Sequence, residues 1–450
     1  MIVSFSVTNF RSFSSEETFS LVASNRLSGK HEEHAVAIPD SDERVLRTAV
    51  LYGANGAGKS NLFKALRYLK SFVTEPRSKS SGTGREAFRF SESAAPPSVF
   101  DLQFVVENKL YRFGLKVDDH RVMEEWLTRV VGGREKAIYE RVTADDGAVT
   151  IDAPGLKGVK VLALATVGGP QNQSFIATVL ATLEPPDYGD ELGAILTWFK
   201  KGLRLVSPYD SSVGSLGNVL AQDSDLLKFD GDFLRASSTG VDHLEVLRDE
   251  TSPNEFTSLL KEHLVWSEVN GSVTVHVGGG SAKEFVVDTT DNQLKRIRIQ
   301  AAHEYELGKM SPIDLTEESD GTQRLLNLIP ALHDLHKCGG VYFIDEIDRS
   351  LHPMLVRNFL EHFLKSCEGS QRQLIMTTHE SNLLDQELLR RDEIWFAEKD
   401  PAGATHLYSL IDFKVRNDLE IRKHYLQGRF GAVPFLGDPG RLPTETNQPV

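Results

Sequence analysis

Apolar and polar positions alternate over Met1–Val7, give way to a polar stretch over Arg11–Glu17 and alternate again over Thr18–Val22. A period of two on either side of a polar turn predicts two strands forming a hairpin. Polar residues dominate from Ser24 to Arg44, and then Val45–Leu51 runs apolar into a glycine-rich octet, Gly53-Ala54-Asn55-Gly56-Ala57-Gly58-Lys59-Ser60. From Asn61 onward, Leu62, Leu66, Leu69 and Val73 recur at the helical period, so the order there is strand, loop, helix. The Ser-, Gly- and Pro-rich stretch Pro76–Pro97 predicts a surface loop, followed by strands over Val99–Val106, Leu110–Val117 and Val149–Ile151.

The pattern turns helical over Ser174–Phe199, with a break expected at Pro185-Pro186, and again over Pro253–Leu264; strands are expected at Ser272–Val277 and Leu294–Gln300. The last third alternates: a helix from Thr322, a strand Val341–Ile344, a helix Pro353–Lys365 and strands Leu374–Thr377 and Glu393–Ala397. Apolar strands alternating with helices imply a parallel sheet covered on both faces. The expected fold is therefore α/β with a mixed sheet and N-terminal antiparallel strands. It is divided into an N-terminal lobe (1–175), an inserted, mainly helical lobe (176–305) and a C-terminal lobe (306–450). No internal repeat is visible, and sustained heptads are absent, which argues against a long coiled-coil arm.

Composition narrows the function classes. Of 450 residues, 40% are hydrophobic and 25% charged, the balance of a globular chain rather than a disordered or fibrous one. Lys and Arg number 50 against 64 Asp and Glu, a net charge of −14, so any nucleic-acid contact would need a local basic patch. Three groups are candidates: Lys295, Arg296 and Arg298; Lys414, Arg416, Arg422, Lys423 and Arg429 around Tyr425 and Phe430; and Arg77, Lys79 and Arg85. A solvated surface is the plainer reading of each, and nucleic-acid binding stays open. The two cysteines, Cys338 and Cys367, form neither a disulfide framework nor a C-x-x-C zinc pair, which fits a reducing compartment. With no secretory leader and no uninterrupted apolar run of roughly 18 residues, a cytoplasmic location without a membrane span is expected.

Four elements carry chemistry. The octet Gly53–Ser60 matches G-x-x-x-x-G-K-S, in which glycines let backbone N–H groups turn onto a phosphate, Lys59 neutralises the β and γ phosphates and Ser60 joins a Mg²⁺ shell; Asn61, next in the chain, is counted with the octet as cofactor-binding. The apolar strand Val341–Ile344 ends in Asp345, a candidate Mg²⁺ ligand, and Glu346, which would polarise an attacking water. His379 follows another apolar strand and would reach the γ-phosphate. Glu317–Arg324 precedes a helix that Ser319 or Asp320 can cap, leaving an anion site at its start. Arg11 is a further phosphate candidate, while Phe10 and Phe13 either stack on adenine or belong to the core.

These elements in this order resemble the ABC-type ATPase heads of the SMC, RecF and OLD group, and most closely the stand-alone AAA-family ATP-binding proteins of bacterial anti-phage operons. Asn9-Phe10-Arg11-Ser12-Phe13, Asp345–Pro353 and Tyr425–Pro434 add to the likeness, which covers roughly 1–175 and 305–450. The resemblance implies a P-loop fold, ATP and Mg²⁺ as cofactors, Asp345 as the Walker B acid, Glu346 as catalytic base and His379 as switch histidine. It implies further that Ser319 and Gly321 contact the nucleotide of a partner subunit across a head-to-tail homodimer, with Asp348 starting the loop that crosses the interface. Where the wider pattern has a second signature glycine this chain has Asp320, and the Q-loop glutamine has no clear position among Gln103, Gln171 and Gln173. The residues after His379 lack a Toprim-like acidic cluster. A nuclease, of Toprim or another type, is therefore expected on a separately encoded partner. RecF-like clamping of DNA and a weakly hydrolysing scaffold are the alternative functions.

Overall fold

The computed structural model describes residues 1–27, 29–78, 80–90, 96–208, 213–250, 264–269, 272–277, 283–288, 293–306, 308–338, 340–366, 371–414 and 419–433. The chain forms two compact units, Met1–Leu203 with Ile375–Val450, and Arg204–Leu374. This partition differs from the three lobes expected, because the helices Phe175–Thr182 and Asp190–Thr197 belong to the first unit, and the segment 306–374 to the second.

The first unit holds a seven-stranded antiparallel sheet in the order Val149–Asp152, Arg134–Thr143, Val122–Val131, Lys109–Val117, Ser98–Val106, Ile2–Thr8, Glu17–Ser20. A single cross-strand row runs Phe19, Phe5, Leu102, Phe113, Leu127, Tyr139, and all six side chains are buried. Such directly opposed apolar pairs are what hold a sheet in register. Gly114 sits opposite Trp126, where a Cβ would fall 1.9 Å from the indole ring, so the ring lies flat across the strand only because this position is glycine.

The strands Val122–Val131 and Arg134–Thr143 were not expected from the pattern. Buried Glu125 and Arg141 stand opposite each other in register and break the alternation. Glu125 accepts from the Tyr139 hydroxyl at 2.6 Å and from Phe175 N at 2.9 Å, while Arg141 donates to the carbonyls of Val122, Pro170 and Gln171. Burial raises the Glu125 pKa against the pull of Arg141 and these hydrogen bonds. Pro185 and Pro186 start a short helix, Pro185–Tyr188, rather than simply interrupting one, since a missing N–H costs nothing in a first turn.

Beside this sheet, Thr48–Tyr52 pairs in parallel with Ile394–Lys399, which pairs antiparallel with Thr405–Ser409. All five residues of Thr48–Tyr52 are buried, as a central parallel strand requires. Thr378 N donates to Leu51 O at 3.1 Å on its other side.

In the second unit, the helices Val213–Gln222, Ser224–Ala236 and Asp320–Cys338 enclose a core of Leu220, Leu226, Leu234, Leu244, Ile299 and Leu326. The segment expected to be mainly helical carries helices in its first half and antiparallel strands in its second, ordered Val241–Glu250, Gln293–Glu306, Lys283–Asp288, Ser272–Val277, Leu264–Val269. The helix expected over Pro253–Leu264 falls largely outside the described residues. Gly340–Ile344 lies between Leu203–Val206 and Arg372–Thr377, and Asp345 N donates to Val206 O at 2.9 Å.

Candidate functional site

Strand Thr48–Tyr52 delivers the chain into the loop 53–58, and helix Lys59–Thr74 leaves it, with Leu62, Leu66, Leu69 and Val73 buried on one face. Gly56 and Gly58 have φ of 79° and 110°, in the region that favours glycine. A Cβ at Gly58 would lie 2.1 Å from Thr405 Oγ1, and one at Gly53 would lie 2.5 Å from Ala397 O. The loop is therefore a close-fitting backbone turn against the strand Ile394–Lys399 and Thr405. Ala57 N closes it on Ala54 O at 3.1 Å, and Asn55 is exposed at its tip. Gly58, as N-cap, offers no side-chain oxygen to the helix start, the arrangement that lets helix N-termini take an anion.

Lys59 is buried, and its ammonium donates to Gly53 O at 2.7 Å and Ala54 O at 3.3 Å. It also lies 3.1 Å from His379 Nε2. An ammonium only donates, so His379 accepts there and carries its proton on Nδ1. The strand Arg372–Thr377 ends at buried Thr377, and buried Thr378 leads on to His379. The fold thus joins two residues far apart in sequence that were both expected at the phosphates.

Ser12 and Thr405 were not foreseen. Thr405 donates to Ala57 O at 2.8 Å, its hydroxyl lies 2.8 Å from Ser12 Oγ, and Asn61 Nδ2 donates to the same Ser12 Oγ at 2.7 Å. This network ties the loop and the first turn of its helix, where Ser60 and Asn61 sit, to the turn after the first strand. Asn61 was expected beside the octet, but single polar residues such as Ser12 and Thr405, far from it in sequence, leave no spacing signal.

Arg11 has φ of 53°, and its guanidinium pairs with Glu86 and lies 5.9 Å from the centre of the Phe10 ring. Phe10 and Phe13 are core residues: Phe10 packs on Tyr68 at 5.3 Å and Phe100 at 5.2 Å between ring centres. Gln173 is also internal, accepting from Arg77 N at 2.6 Å and donating to Thr178 at 3.0 Å. Arg85 is buried on Asp119, and Arg77 stacks on Phe72, which removes both from a basic patch. Arg298 pairs with Asp249 at 2.7 Å. Lys414, Arg422, Lys423 and Arg429 are exposed, whereas Lys79 and Arg416 lie outside the described residues.

In the second unit, Asp345 is buried at the end of Gly340–Ile344, and Glu346 adopts φ of 49°, a strained conformation for a residue with a side chain. Arg324, buried in the helix Asp320–Cys338, donates to the carbonyls of Asp345 and Glu346 at 3.3 Å each and to Ser207 O at 3.4 Å. It was passed over in the sequence, yet it fixes the acidic pair to the helix behind Ser319–Gly321. Ser319 caps that helix: its Oγ accepts from Thr322 N at 3.2 Å and lies 2.8 Å from the Thr322 hydroxyl. Asp320 is exposed in the first turn, where the helix dipole favours a carboxylate. A Cβ at Gly321 would lie 2.9 Å from Ser350 O, so the loop after Asp348 rests directly on this glycine.

A family model described as "AAA domain, putative AbiEii toxin, Type IV TA system" matches residues 49–152 and 192–385. Among solved structures, the SMC head bound to the C-winged helix domain of ScpA is similar at 14% identity, covering 91% of this chain and 97% of that one, with a TM-score of 0.42. The SMC head domain from Thermotoga maritima is similar at 12% identity, with 91% and 98% coverage and a TM-score of 0.37. No curated protein matches the sequence. No helix among the described residues is long and apolar enough to cross a membrane.

Proposed function

Because the chain belongs to this family of AAA domains, we propose that it binds Mg-ATP and hydrolyses it as a dimeric switch. The observation that carries this reading is Lys59, held by the carbonyls of Gly53 and Ala54 and by His379 inside a loop with no room for side chains at Gly53 or Gly58. A glycine loop at a helix N-terminus, one buried ammonium and a second polar group beside it are the parts a polyphosphate cradle needs. Phosphate oxygens take over the donors that Lys59 gives to its own loop.

The Ser60 hydroxyl and the Asp345 carboxylate are oxygen donors of the kind a hard divalent cation takes, and in this reading they would be its ligands. Mg²⁺ held there supplies charge neutralisation along the phosphates. Glu346 takes the proton of the attacking water, and His379 donates from Nδ1 or accepts at Nε2 as the γ-phosphate departs. Ser319 and Gly321 close on the nucleotide of a second copy arranged head to tail. ATP drives dimerisation to the extent that it binds the closed pair more tightly than the open one. The closed dimer passes its state to a separately encoded effector, a nuclease of Toprim or another type, in anti-phage defence.

Solution mass and phosphate release with and without Mg-ATP, on wild type and Glu346→Gln, test the core of this reading. The variant is expected to bind ATP, lose at least about 100-fold in turnover and accumulate as a dimer. Equal phosphate release from both proteins as monomers overturns the roles of Glu346 and Ser319. DNA-stimulated hydrolysis would move the output from an effector to DNA itself.

A further inference from the structure

The polar segment between Ser24 and Thr48 takes no part in the proposed reaction, yet it carries a built site. Its 3₁₀ turn, Glu32–His34, follows His31, whose φ of 53° turns the chain so that two imidazoles and one carboxylate face each other. His31 Nδ1 is 3.6 Å from Glu33 Oε1, and His34 Nε2 is 3.7 Å from the same oxygen. One ligand atom from each of the three residues lies within 4.8 Å of the others. Around a tetrahedral ion with bonds of about 2.0–2.1 Å, neighbouring ligand atoms stand roughly 3.4 Å apart, so two of these separations are close to bonding geometry before any adjustment.

The tautomers agree. His31 Nε2 lies 3.0 Å from the Gln386 carbonyl oxygen, which can only accept, so that nitrogen carries the proton and Nδ1 keeps its lone pair. His34 Nδ1 lies 3.0 and 3.1 Å from the two oxygens of buried Glu393; with Glu393 as the carboxylate the proton is on Nδ1, and in the neutral imidazole Nε2 then has the lone pair. In the neutral imidazoles, the form a metal ion binds, both lone pairs are on the nitrogens that face Glu33. Imidazoles whose outer N–H is fixed by a carbonyl and by a carboxylate are the supporting shell typical of a histidine-ligated metal.

The backbone is also held. Arg390 donates to the carbonyls of Leu27 and Lys30 at 3.3 Å and of Ser24 at 3.4 Å, and Arg47 donates to Glu33 O at 2.9 Å.

We propose that His31, Glu33 and His34 bind one divalent transition ion of the zinc class, with water in the remaining position. Two nitrogen donors and one carboxylate favour such an ion over Mg²⁺ or Ca²⁺, which take oxygen shells. The site opens to solvent on the side of Glu33, whose side chain is 63% exposed, while that of His34 is 5% exposed. The imidazoles stack with ring centres 4.7 Å apart, and the ion draws them from a stack into a fan. Through Glu393, which leads into Ile394–Lys399, the ion fastens the segment 24–47 to the strand beside Thr48–Tyr52. Its role is to staple this edge of the unit rather than to act on a substrate.

The test is zinc titration by calorimetry on the full chain, free of any tag and dialysed against chelator, with millimolar Mg²⁺ present throughout to occupy oxygen-rich sites. Cobalt spectra are taken on the same preparations. Wild type is expected to take up one Zn²⁺ per chain, to melt higher with zinc and to give the visible bands of four-coordinate cobalt. Glu33→Gln and His31→Asn are expected to weaken zinc binding at least about tenfold and to lose the cobalt bands. The metal-free melting of Glu33→Gln should match wild type, since that side chain is 63% exposed, whereas His31→Asn also gives up the bond to Gln386 O and is judged by the zinc and cobalt readouts alone. Absence of a saturable zinc site, or binding that both variants retain, overturns the proposal. Neither result bears on nucleotide binding.

Discussion

Asp230 is the most improbable side chain in the second unit, and it makes stability there depend on pH. It lies in the helix Ser224–Ala236, one turn from buried Leu226 and Leu234, fully buried, with neither carboxylate oxygen hydrogen-bonded. Burial, and secondarily the charge of Asp223, raise its pKa from 3.8 to about 8. Between these values the folded protein keeps a proton that the unfolded chain has lost, so stability falls as pH rises from about 4 to about 8 and levels off above. At about 1.4 kcal/mol per decade, the loss between pH 5 and pH 8 is roughly 4 kcal/mol. Asp230→Asn keeps the shape and removes the titration, so wild type and variant should melt close together at pH 5 and separate at pH 8, the variant higher. For a unit of this size the separation is on the order of 10 °C. Calorimetric scans of both proteins at pH 5, 6.5 and 8 measure it, and the difference between them cancels every other titrating group. Curves that stay parallel across that range would mean that Asp230 is charged in the fold, and the reasoning from burial fails.

Two further substitutions separate the loop from the acidic pair. Gly58→Ala puts a methyl against Thr405 at a φ of 110° and should weaken ATP binding at least about 100-fold, read by displacement of a fluorescent analogue, because the loop must distort to admit it. Arg324→Met removes the donors held by the carbonyls of Ser207, Asp345 and Glu346. It should lower phosphate release at least about tenfold while ATP affinity changes less than about threefold, a split in kcat against Kd that a general loss of folding would not produce.

How much of this was visible in the sequence depended on whether the signal was local. The strand, loop and helix around Gly53–Ser60 could be placed to within a few residues because glycine spacing and helical periodicity are both short-range. The pairing of Lys59 with His379 could be expected only because each ends or follows an apolar strand, and parallel strands deliver such residues to one edge. Where polar residues serve the interior, the pattern misleads. Glu125 and Arg141 hide two ten-residue strands because buried charge reads as surface, although their hydrogen bonds to Tyr139, Phe175 and three carbonyls satisfy them inside. His31, Glu33 and His34 hide for the opposite reason: they lie in a polar segment that reads as solvated, and only Gln386 and Glu393, more than 350 positions away, fix their tautomers. Arg324 combines both difficulties, since its partners are main-chain carbonyls that carry no sequence identity at all. The groups that position chemistry in this chain are thus held by long-range contacts to backbone carbonyls and to single polar side chains, and substitutions at Ser12, Arg324 and Thr405 test that arrangement more directly than further changes within the glycine loop.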